Sequence, residues 1–96
     1  MSSIKAMLSV LMDGIKDANM LLDYAKNAMT EGKTQAASWF KTHAKSRIDE
    51  LDGVYNFVSD EIHLDEKVRQ GDEVAMVLSE YINSQLDDLD RRCSSM

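Results

Sequence analysis

From Ile4 to Met29 the apolar residues recur at alternating steps of four and three: Ile4, Leu8, Leu11, Ile15, Ala18, Leu22, Ala25 and Met29. In an α-helix those positions stack into one continuous stripe. A second row, Met7, Leu11, Gly14, Ala18, Leu21, Ala25 and Ala28, runs beside it, so the face is wide enough to meet two neighbouring helices. The other side carries Lys5, Ser9, Asp13, Lys16, Asp17, Asp23 and Asn27, with Met12 and Met20 as candidates for exposed methionines. Ser2 or Ser3 can cap this helix. Gly14 and Ala18 lower the side-chain profile and permit close approach of a partner helix.

Thr30-Glu31-Gly32-Lys33-Thr34 interrupts the pattern. Gly32 suits the left-handed position just beyond a helix end, and Thr34 is the expected cap of the next helix. So short a connection predicts an antiparallel hairpin. The second stripe runs through Ala37, Phe40, Ala44, Ile48, Leu51, Tyr55, Val58 and Ile62, flanked by Trp39, His43, Val54 and Phe57. Gly53 sits inside it as either a close contact or a mild weakness, at about 1 kcal/mol of helix propensity relative to alanine. The third stripe is Val68, Gly71, Ala75, Leu78, Ile82, Leu86, Leu89 and Cys93. Two readings fit it: a helix capped by Asp65, or a break at Gln70-Gly71-Asp72 with Asp72 capping a shorter helix. The first is preferred, giving helices over about 3–31, 34–62 and 65–93 in a single helical domain. The expected fold is all-α, an elongated antiparallel three-helix bundle that a second chain can complete as a homodimer.

Composition sharpens this picture. There is no proline and there are only four glycines, which leaves room for long helices. The net charge of −6 is unevenly placed. Residues 1–59 hold seven acidic and seven basic side chains, whereas 60–90 hold ten acidic ones against Lys67 and Arg69. That field disfavours direct nucleic-acid binding and suits either solubility or a basic partner. Cys93 is the sole cysteine, so no intramolecular disulfide can form, and a free thiol fits a reducing compartment. The apolar run 6–12 is too short to span a membrane or to read as a signal peptide, which makes the cytoplasm the expected location.

Candidate chemistry is sparse. His43, Arg47 and Glu50 share one side of the second helix, with Asp23 a candidate neighbour across the hairpin; the plain alternative is a surface network. Asp60, Glu61, His63, Asp65 and Glu66 form the densest ligand-like run, without the glycine-centred pattern of a calcium loop. Residues 4–62, with their long helices, short connection and Phe40-Lys41-Thr42-His43-Ala44 segment, resemble the first hairpin of the ferritin-like superfamily. That resemblance implies an architecture. Its di-iron members place Glu-x-x-His ligands on paired helices; this chain has no such motif, and Asp60-x-x-His63 is its nearest approximation. The metal-binding alternative therefore rests on His43, Glu50, Asp60 and His63.

No base-activated nucleophile and no paired acids of defined separation are visible, so no enzymatic activity and no cofactor are expected. Tyr24, Tyr55 and Tyr81 fit amphipathic packing better than a nucleic-acid stacking platform. The expected function is a small acidic helical adaptor or inhibitory protein–protein interaction module. Its apolar contacts would come from Trp39, Phe40 and Phe57, and its acidic contacts from Asp72, Glu73, Glu80, Asp87, Asp88 and Asp90. A third reading makes that acidic face a nucleic-acid mimic that binds a basic protein.

Overall fold

Among the described residues three turns separate four helices: α1 (Ser2–Thr30), α2 (Thr34–Glu61), α3 (Leu64–Arg69) and α4 (Glu73–Ser94). The computed structural model describes residues 2–96, with side chains from Lys5 onward. The choice between Ser2 and Ser3 as first cap, and the place of Ile4 in the stripe, lie outside the described side chains. Among the described residues there is no strand, and the fold is all-α.

Each turn has a local cause. At Gly32 the backbone takes φ 76°, Gly32 N–H donates to Met29 C=O at 3.0 Å and Lys33 N–H to Ala28 C=O at 2.8 Å, which together satisfy two of the last carbonyls of α1. Gly71 repeats the arrangement at φ 83°, with its N–H on Val68 C=O and Asp72 N–H on Lys67 C=O, both at 3.0 Å. The third expected helix is therefore two. A left-handed glycine stops α3, and the Asp72 carboxylate at once accepts from Ala75 N–H at 3.1 Å to start α4. Asp65 lies in the first turn of α3 and is not its cap. Nor does Thr34 cap α2: it is the first helical residue, and Lys33 holds the cap position without a side-chain bond. Between α2 and α3 the left-handed position falls to His63, at φ 54° and ψ 49°. A residue with a Cβ costs roughly 1–2 kcal/mol there relative to glycine.

The antiparallel α1–α2 hairpin is the spine of a molecule 50 × 22 × 15 Å in extent. Gly14 is what lets its two helices close. A Cβ at that position would overlap Cδ2 of Leu51, which is itself buried. Among the described residues no atom lies within 4 Å of the Cβ position at Gly53, so the second interior glycine is no close contact. α4 returns along both hairpin helices. Ile82, Leu86, Leu89 and Cys93 join Leu11, Ile15, Ala18, Leu22, Ala44, Ile48, Leu51 and Val58 in one buried cluster. Cys93 is thus part of the core. Arg92 fastens α4 to α1, donating from Nη1 to Asn19 Oδ1 and from Nη2 to Asp23 Oδ1, each at 2.6 Å.

Candidate functional site

On the hairpin side away from Arg92, the sequence places two seven-residue rows next to each other: Val10, Asp17 and Tyr24 on α1, and Phe40, Arg47 and Val54 on α2. Residues seven apart differ by about 20° around a helix, so each row stays on one face. The antiparallel pairing matches the rows rung by rung. Tyr24 meets Phe40 with ring centroids 5.5 Å apart. Arg47 donates from Nη2 to Asp17 Oδ2 at 3.5 Å and from Nη1 to Glu50 Oε2 at 3.1 Å. Val10 and Val54 line a groove together with Met7, Gly53 and Phe57.

The upper rung is an aromatic cluster. Trp39 meets Phe40 edge to face at 5.2 Å, and the ring of His43 lies 3.9 Å from that of Trp39. Trp39 and Phe57 remain 56% and 50% exposed, while Phe40 is half-buried. Phe40 and Phe57 are 17 residues apart, about 25 Å along the helix. The free face thus has an apolar patch near each end and an ion-paired centre. Exposed pairs of that kind are worth about 0–1 kcal/mol, so they contribute more to alignment than to stability.

The metal-ligand candidates are not brought together. His43 packs on Trp39, Glu50 is held by Arg47, and Asp60 and His63 lie at the far end of α2. Asp23, the expected neighbour of His43 and Arg47, pairs instead with Arg92 on the other side of α1, and Asp17 takes its place. Among the described residues no three His, Cys, Asp or Glu side chains are grouped so as to hold a metal ion. Nor, among the described residues, is any helix long and apolar enough to cross a membrane.

The acidic candidates divide by role. Asp72 is a helix cap. Asp88 accepts from Arg91 at 2.6 Å. Glu73, Glu80, Asp87 and Asp90 are exposed and make no ion pair among the described residues. Where α2 faces α4, partial burial, reinforced by the carboxylates of Asp90, Asp49 and Asp87, pushes the Asp52 carboxyl above its ordinary range.

Sequence reasoning missed Val10, Tyr24, Val74, Val77 and Tyr81 as surface residues; all five are exposed. The seven-residue steps from Val10 through Asp17 to Tyr24 carried a signal, but their neighbours across the hairpin depend on register. No protein-family model, no curated protein and no solved structure matches the chain.

Proposed function

We propose that this protein is a small non-enzymatic interaction module, an adaptor or inhibitor, that works in the cytoplasm as a homodimer. Its three long helices form an elongated bundle that the second chain completes through the free face of the hairpin. One observation carries this reading: the aromatic cluster at Trp39 and the apolar groove at Phe57 lie exposed on the side that α4 leaves uncovered.

Two further facts support a second copy as the occupant. The hairpin side of a molecule 50 Å long and 22 Å across is large enough for the roughly 800 Å² per partner that stable interfaces bury. The hairpin, residues 2–61, holds seven basic and nine acidic side chains, so two hairpins meet with little net repulsion, while the more acidic α4 helices stay on the outer sides. Trp39, at one end of the free face, is 56% exposed, and tryptophan is a common source of binding energy once it is desolvated.

Intact mass and Trp39 emission, followed across protein concentration, test the proposal. The expected result is a dimer at micromolar concentration with a blue shift on association. Trp39→Asp and Phe57→Asp should each leave a helical monomer by circular dichroism. A wild-type chain that stays monomeric into the high micromolar range, with Trp39 in water throughout, removes the homodimer.

A further inference from the structure

We infer that the outer face of the first half of α4 is a docking strip for a cationic amphipathic helix of another protein, an inference that rests on the interaction-module reading. α4 has two apolar stripes and the fold uses one of them. Ala75, Ile82, Leu86, Leu89 and Cys93 are buried against the hairpin. Val74 and Val77 are 77% and 66% exposed, and with Tyr81 and the half-buried Leu78 they line a shallow apolar groove. Their spacing of i, i+3, i+4 and i+7 is that of a helix presenting a seam to another helix. Exposed valines are costly on this surface, being poorer helix formers than the Lys, Glu or Gln that would serve solubility.

Charge selects the occupant. Glu73 and Glu80 are seven residues apart, so they lie along one border of the strip, and Asp87 continues their row beyond Tyr81. None of them is neutralised by an ion pair among the described residues. Seven residues rise about 10.5 Å, the repeat at which lysines or arginines flank the apolar seam of a partner helix. A second copy is the wrong occupant, because two such strips would bring like-charged rows together. Nucleic acid and anionic lipid carry the same sign and are repelled too. A purely electrostatic mimic of nucleic acid would need the carboxylates but not the valines; the apolar groove calls for a partner with a matching apolar face.

The full chain is titrated with three fluorescent synthetic peptides of about 18 residues, long enough for five helical turns. One has a leucine stripe flanked by lysines at seven-residue steps, the second is a shuffle without the stripe, and the third replaces lysine by glutamate. The striped cationic peptide is expected to bind at least about tenfold tighter than either control, with amide shifts centred on 73–88. V74S/V77S should weaken it about tenfold, and E73Q/E80Q/D87N should weaken it similarly while flattening its salt dependence, both with helicity retained. Equal binding of the shuffled peptide, shifts centred on the hairpin, or no binding of the striped peptide overturns the inference. W39D/F57D separates the two readings: a monomeric variant that binds the peptide unchanged supports the strip independently of the dimer interface. A wild-type dimer that ignores the peptide overturns the strip alone.

Discussion

The two sides of the α1–α2 hairpin carry comparable apolar side chains and meet different fates. On one side Ile15, Leu22 and Ile48 are covered by Ile82, Leu86 and Leu89 of α4. On the other, Val10, Tyr24, Trp39 and Phe57 remain about half in water. A pair of long helices offers two grooves, and this chain supplies one further long helix. The difference teaches that an apolar row records a tendency to be covered, whereas the supply of neighbours decides whether it is.

Truncation on each side gives the largest test of that contrast. Leu89→Ala should cost about 2–5 kcal/mol in denaturant unfolding, as buried leucines do. Phe57→Ala should stay within about 0.5 kcal/mol when measured on the dilute monomer. A Phe57→Ala loss comparable to that of Leu89→Ala under dilute conditions would mean that the two sides are equally closed within one chain.

The interior glycines sharpen the contrast at smaller scale. At Gly14, alanine gains about 1 kcal/mol of helix propensity but drives its Cβ into Leu51, and overpacking of this kind costs about 1–3 kcal/mol. Thermal melting of Gly14→Ala should therefore show no gain and up to about 2 kcal/mol of loss. Gly53→Ala meets nothing among the described residues and should stabilise by up to about 1 kcal/mol. Equal effects at the two sites would remove the tight seam from the account.

At the far end of α2, His63→Gly relieves a left-handed residue that carries a Cβ. It should raise stability by about 1 kcal/mol at neutral pH, read as a higher denaturant midpoint with an unchanged slope. A decrease would show that the imidazole contributes more than its backbone costs.

The smallest effect expected is electrostatic. Asp52 has its carboxyl raised in the folded state, so the folded chain holds that proton more tightly than the unfolded chain. Its contribution to stability is fully present below the ordinary carboxyl value of 3.8 and is lost as pH rises through the raised folded value. Asp52→Asn should therefore melt about 1–2 °C higher than wild type at pH 7, a screened surface-scale effect. That advantage should shrink as the pH is lowered towards 3.8. A pH-independent difference would assign the change to packing.

Much of this fold was legible as local pattern. The alternating stripe of α1, the stop at Gly32 and the register of Ala75, Ile82, Leu86 and Leu89 follow from spacing and from the conformations glycine allows. The signal at Gln70-Gly71-Asp72 was equally local. It was outweighed because Val68 and Gly71 happen to continue the stripe, and a periodicity that persists across a break cannot locate the break. Thr34 was misplaced as a cap because a side-chain type states only what a cap can be; the backbone dihedrals decide which residue becomes one. The aromatic cluster was half legible: Trp39 and Phe40 stood out by size, but Tyr24 joins them only through the pairing of α1 with α2.

By itself, the sequence determined where the two hairpin helices form, which face of each long helix is apolar, and that charge accumulates in the last third. Those properties depend on neighbours within a few turns, where the helical repeat leaves little choice. Tertiary structure alone decided which apolar rows are covered, that Arg47 bridges Asp17 while Arg92 takes Asp23, and that Val74, Val77 and Tyr81 are left outside. Those outcomes depend on how three long helices share two grooves, and that is settled by interhelical register and the close approach at Gly14.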